Sequence, residues 1–170
     1  MAVVEKQHVD EKERVKKDYS LVIALVLALL ALGIVNIYHR IIVNTSPSLS
    51  YRFMWRAGGT PQKHDYVTFF VNHELIGAKP VRVSKQLNCW SGDTLTLRGR
   101  EFFCNGEFMG EAKTRGLKGQ VMPLFYFNGV IPVGKVFASD QHPDSFDSRY
   151  YGFVDLDNVE RIIPLVDAFN

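Results

Sequence analysis

Cysteine is scarce in this chain: two residues, Cys89 and Cys104, neither with the histidine partner or paired spacing that a metal site or a thiol protease needs. Histidine is no richer. His8, His39, His64, His73 and His142 are scattered, His73-Glu74 does not open an H-E-x-x-H pattern, and all five read as surface residues. No metal and no cofactor is expected. The chain also lacks a Lys/Arg patch interleaved with aromatics, which argues against a nucleic-acid partner. Its net charge of +2 selects no class of partner. Internal repeats and low-complexity stretches are absent, and so are long apolar runs, with one exception.

That exception is Leu21 to Val35, which contains no charge, amide or hydroxyl; Ile37 and Tyr38 extend it past Asn36. About 18 residues at ~1.5 Å each span roughly 27 Å, close to the hydrocarbon thickness of a bilayer. Tyr38 suits the interfacial aromatic belt, and His39 and Arg40 mark the exit into water. A cleaved signal peptide is the alternative, with Ala31-Leu32-Gly33 loosely fitting the small-x-small rule. The run is at or beyond the ~7–15 residues of a signal core, which favours a retained anchor. Lys12, Arg14, Lys16 and Lys17 precede the run and only Arg40 closely follows it, so the positive-inside bias keeps the N-terminus in the cytoplasm. The expected organisation is a cytoplasmic tail over 1–19, a transmembrane anchor over 20–38 and one periplasmic domain over 39–170. That remainder is ample for one core and too short for two.

Past the anchor the pattern is that of strands. Tyr66 to Val71 is rich in β-formers, and Phe102 to Met109 reads as a hairpin with Asn105-Gly106 at its tip. Asn128-Gly129 is expected to separate a second aromatic strand, Phe125-Tyr126-Phe127, from Val130-Ile131. Asn158 to Phe169 is ambiguous between helix and strand and is broken by Pro164. The fold class is mostly β: a single N-terminal transmembrane helix followed by an antiparallel β domain. Both cysteines fall in the exported part. An oxidising compartment permits a bridge closing a loop of about 15 residues and contributing ~3 kcal/mol, and two free buried thiols are the alternative.

One strand carries chemistry. In Val81 to Leu87, alternation sends Val81, Val83, Lys85 and Leu87 to one face and Arg82, Ser84 and Gln86 to the other. Lys85 thus points where the apolar residues point, whereas a slip or bulge would return it to solvent. A lysine with the ordinary side-chain pKa of ~10.4 cannot accept a proton at neutral pH, and desolvation lowers that value. Beside a serine hydroxyl, a neutral amine is a general base that needs no histidine.

Three blocks occur in order: Asn44-Thr45-Ser46-Pro47-Ser48, Lys85-Gln86-Leu87-Asn88-Cys89-Trp90-Ser91-Gly92-Asp93, and Ser145-Phe146-Asp147-Ser148-Arg149-Tyr150-Tyr151-Gly152. Together they resemble the signature blocks of the type I signal peptidases, and more closely the TraF-type branch encoded by conjugative transfer systems. The resemblance implies that Ser48 is the nucleophile and Lys85 the general base. It places the Ser46 hydroxyl and the Ser48 amide in the oxyanion hole, makes Ser145 the hydroxyl that orients the lysine, and makes Asp147 and Arg149 a supporting ion pair. It further implies an inner-membrane serine endopeptidase cleaving an exported propilin or another secreted preprotein near the lipid surface, in company with conjugative transfer machinery. Some conjugative relatives close the acyl group onto the substrate's own amine, so pilin cyclisation is a second outcome of the same half-reaction. Two alternatives stand beside this reading: a housekeeping leader peptidase, and a non-catalytic scaffold of a transfer channel. The chain departs from its relatives at Ser50 and Arg52, where proline and glycine are usual, and at Ser91, where proline often precedes Gly-Asp.

Overall fold

The apolar run lies in one uninterrupted helix, α1 (Ala2–Arg40), which holds no proline and a single glycine, Gly33. His39 and Arg40 occupy its last turn, where positive charge complements the helix dipole. The β-branched run Ile41-Ile42-Val43 then favours extended backbone. Residues Lys16–Arg40 are long and apolar enough to cross a membrane. The computed structural model describes residues 2–44, 49 and 51–167. It divides into two units, 1–40 and 41–170.

The second unit contains β1 (Ile41–Val43), β2 (Tyr51–Arg56), β3 (Tyr66–Val71), β4 (Val81–Cys89), β5 (Thr94–Arg98), β6 (Glu101–Cys104), β7 (Glu107–Glu111), β8 (Gly129–Val130), β9 (Lys135–Ser139), the one-turn helix α2 (Ser148–Tyr151), β10 (Val154–Asp155), a 3-10 turn (Leu156–Asn158) and β11 (Glu160–Asp167). Described pairings between these strands are antiparallel. The larger sheet runs β1-β2-β11-β3-β4-β9-β10, and the smaller runs β7-β6-β5-β8. Within the ambiguous C-terminal segment, Glu160–Asp167 is a strand. β11 inserts between β2 and β3, and its register shifts beyond Pro164, which has no amide hydrogen to give a ladder.

Three buried clusters of described residues organise the unit, the smallest of them Leu49, Met54 and Ile162. Val67, Phe69, Val71, Leu87, Val136, Ala138 and Val159 pack on the larger sheet. Leu95, Phe102, Phe137, Ile131 and Tyr150 form another, together with Cys89 and Cys104. Cys89 and Cys104 are joined in a disulfide with Cα atoms 5.7 Å apart, tying the end of β4 to β6. The β6–β7 hairpin turns on Asn105 and Gly106 at φ 51° and 87°, positive as a two-residue turn of primed type requires.

The second expected aromatic strand is not one. Phe125 to Asn128 has no ladder, and only Gly129–Val130 pairs, with β5. Tertiary contacts claim this backbone and these rings instead. The Phe125 amide donates to the Arg149 carbonyl at 3.0 Å, and the Asn128 Oδ1 accepts from the Leu97 amide. Phe125 and Phe127 both pack edge-on against Phe153.

Candidate active site

On β4 the burial alternates from Lys85 onward: Lys85, Leu87 and Cys89 are buried, while Ser84, Gln86 and Asn88 are half-buried. Val81, at the strand's start, is exposed. Lys85 pairs with Val67 of β3 and is next but one to Leu87, both fully buried, and only 3% of the lysine itself reaches solvent. Its amine is therefore taken out of water among aliphatic groups. That burial is the leading reason its pKa is held below the ordinary lysine value; the Asp147 and Asp140 carboxylates oppose the shift and Arg149 adds to it.

The amine is not left without a partner: Nζ donates to the Oγ of Ser145 at 2.8 Å. Ser145 is 1% exposed and its amide donates to the His142 carbonyl. Two residues on, Asp147 caps α2 by accepting from the Arg149 amide. The Arg149 guanidinium meets the same carboxylate as a fork, Nε to Oδ1 at 2.8 Å and Nη2 to Oδ2 at 2.7 Å. The remaining guanidinium hydrogens go to main-chain carbonyls: Nη1 to Glu111, and Nη2 to Asp140, His142 and Ser145. Arg149 and Asp147 are both buried, so the fork pins the loop that presents Ser145. Burial works against the guanidinium's charge, but the Asp147 carboxylate more than offsets it and its pKa stands raised.

The small sheet contributes to this arrangement through a glycine. Gly110 of β7 has φ +127°, and a Cβ there would sit 2.9 Å from Arg149 Nη1. Sequence reasoning missed Gly110, the Glu111 carbonyl and Asp140, because each reaches the site through tertiary packing around Arg149 and none belongs to one of the three blocks.

Ser46 and Ser48 lie outside the described residues. The Asn44 side chain donates to the carbonyls of Leu49 and Tyr51, drawing the two ends of the serine segment together. Val43 and Asn44 line a cleft of about 350 Å³ whose wall also holds Lys85 and Ser145, with Ile42, Ile76, Val83 and Phe146 as its apolar lining. A larger cleft of about 590 Å³ is lined by Gln86 and Asn88, on the alternate positions of β4, and does not touch Lys85. Cys89, Asp93 and Cys104 cluster within ligand distance, but both sulfurs are committed to the disulfide.

The family profile described as signal peptidase, peptidase S26, matches residues 14–164. The chain belongs to this family. It is a serine-type signal peptidase, a membrane hydrolase of exported preproteins, and α1 fits the single-pass anchor of such an enzyme. Among solved structures the chain is similar to a signal peptidase I from Enterococcus faecalis V583, at 27% identity over 62% of this chain and 97% of that one, with a TM-score of 0.40. No curated protein matches the chain.

Proposed function

We propose that this signal peptidase acts through a Ser48–Lys85 dyad at the periplasmic face of the inner membrane, with an exported propilin as substrate. The observation that carries the reading is a desolvated lysine amine sharing one cleft with Asn44, four residues before Ser48. A buried ammonium is destabilising unless it is used or paired, which weighs against a silent scaffold.

In this reading the Ser48 Oγ attacks the carbonyl of the scissile bond while Lys85 Nζ takes its proton. The tetrahedral oxyanion rests on the Ser48 amide and the Ser46 hydroxyl, an effect worth several kcal/mol when preorganised. Lys85 then returns the proton to the departing amine, leaving an acyl-enzyme ester. Water, or the amine of the substrate itself, resolves the ester. Ser145 orients the amine, and the Asp147–Arg149 fork holds Ser145.

The free edge of β4 suits an extended substrate, and the family resemblance implies a small side chain before the cut. β9 pairs with β4 only from Gln86 to Cys89, so residues 82–84 have no described strand partner on that side. An extended peptide can add to this edge, as in other strand-addition complexes. Exposed Ile41, Val43, Phe53, Ile163 and Leu165 share one face of the larger sheet, a surface suited to lipid. Met54, between Phe53 and Trp55, turns inward and is fully buried. The tail over 1–19, the anchor over 20–38 and the domain over 39–170 follow the Lys/Arg bias across the apolar run. Propilin as substrate, and conjugative transfer as context, rest on the wording of the three blocks.

The test is processing of a propilin and of an unrelated exported preprotein by the wild type, Ser48→Ala, Lys85→Ala and Lys85→Arg. All three variants should fold and lose cleavage; a guanidinium cannot give up its proton at working pH. Cleavage that survives in Lys85→Arg would refute the dyad. Equal processing of both substrates would favour the housekeeping alternative. Intact mass decides the fate of the ester, because a cyclic product lacks one water relative to the linear peptide.

A further inference from the structure

One carboxyl oxygen beside the site has no role in the proposed dyad. Asp140 Oδ2 is shut off from solvent and accepts no hydrogen bond among the described residues. Buried polar atoms in native proteins are nearly always paired, so an orphaned carboxylate oxygen calls for a reason. The residue's main chain, by contrast, is tied down. Its amide donates to Asp147 Oδ2 at 3.2 Å and its carbonyl accepts from Arg149 Nη2 at 3.3 Å.

Strand register gives the reason. In the β4–β9 ladder Gln86 pairs with Ser139 and Leu87 with Ala138. Asp140 is the residue that follows β9, where a continued register would set it opposite Lys85, and residues opposite one another across an antiparallel pair project to the same face. Neighbouring carboxylates are already committed: Asp147 to Arg149, and Asp144 to Lys113. Asp140 has no salt bridge among the described residues; its carboxylate is held by the backbone amides of His142 and Gln141 and by the charge of Lys85.

We infer that Asp140 is a positioning residue for Lys85, a carboxylate within electrostatic reach of the amine whose negative charge sets the pH at which that amine releases its proton. The inference deepens the proposed Ser48–Lys85 dyad and rests on it. Other charged and titratable groups face the pair. Asp147 and Arg149 approach from the C-terminal block, Tyr66 of β3 interacts electrostatically with Asp140, and Asp144 and Arg82 line the cleft; the β3 residue opposite Lys85 is the neutral Val67. Burial raises the Asp140 pKa and the lysine charge pulls it back, as expected of two opposed groups that share a poorly hydrated space. With the carboxylate ionised, the lysinium formed when Ser48 gives up its proton is stabilised. Without it, the amine is a weaker base.

The test uses the full chain in detergent micelles. The pH dependence of kcat/KM on an exported preprotein is measured for the wild type and Asp140→Asn, which keeps both main-chain hydrogen bonds. In parallel, the carbon-13 shift of the Lys85 ε-methylene is titrated, its signal assigned by its loss in Lys85→Arg. Removing one nearby negative charge should move the acid limb and the titration midpoint down together by about one pH unit. An unmoved midpoint, or one that rises, overturns the inference. Should Asp140→Asn fail to fold, Asp140→Ser serves the same comparison. The dyad has its own readout: activity surviving in Lys85→Arg refutes the dyad, while the midpoints still report whether Asp140 acts on the amine.

Discussion

Replacing Arg149 by methionine removes the guanidinium while keeping a long, unbranched side chain. The structure sets the expected size of the effect. Arg149 is 1% exposed and Asp147 fully buried, so water cannot substitute for the lost fork. Breaking one side of such a buried pair leaves an uncompensated charge and costs about 3–5 kcal/mol, against ~1 kcal/mol or less for an exposed pair. The carbonyls of Glu111, Asp140, His142 and Ser145 also lose a donor. Asp147 retains two amide donors, from Arg149 and Asp140, which keeps the loss toward the lower end of that range. Asp147→Asn on the methionine background removes the stranded charge but keeps the helix cap. The double variant should therefore be more stable than Arg149→Met alone, with a coupling of about 2 kcal/mol or more. Urea unfolding followed by tryptophan fluorescence measures this directly, because both tryptophans, Trp55 and Trp90, lie in the β unit. A single-variant loss under ~1 kcal/mol, with no coupling, would show that the pair behaves as a solvated one and does not hold Ser145.

Two further outcomes are expected. Lys85→Met removes a group whose folded pKa is lowered. Between that lowered value and the unfolded ~10.4 the unfolded chain binds more protons, so the lysine's contribution is fully present above ~10.4 and is lost as pH falls through the folded value. Wild-type stability relative to Lys85→Met should rise with pH across that window; a flat or falling difference means the amine is solvated. Opening the Cys89–Cys104 bridge, by reductant or by the double serine variant, should lower stability by ~3 kcal/mol for a separation of 15 residues. Insensitivity of the urea midpoint to reductant would contradict that.

How much is legible in the chain alone varies from residue to residue. The inward direction of Lys85 follows from a period of two, since successive side chains on a strand must alternate. The Asn105-Gly106 turn is equally readable, because few residues tolerate two successive positive φ angles. The strand expected at Phe125 to Phe127 fails for a physical reason. Aromatic residues satisfy either a ladder or a packed cluster, and here Phe153 and the Arg149 carbonyl supply the second. Asn158 to Phe169 cannot be decided locally either, since its strand exists only through pairing with β2 and β3.

By itself, then, the sequence determined the features that depend on composition and short-range period: the apolar helix, the antiparallel β character, the order of the three blocks and the face of β4 that bears the lysine. Tertiary structure alone decided which distant groups share a dielectric. Lys85 meets Ser145 sixty positions away, Gly110 clears space for Arg149, and Asp140 comes within electrostatic reach of the amine. Pairing register and burial are properties of the closed sheet. A pKa depends on both, and no local pattern encodes either.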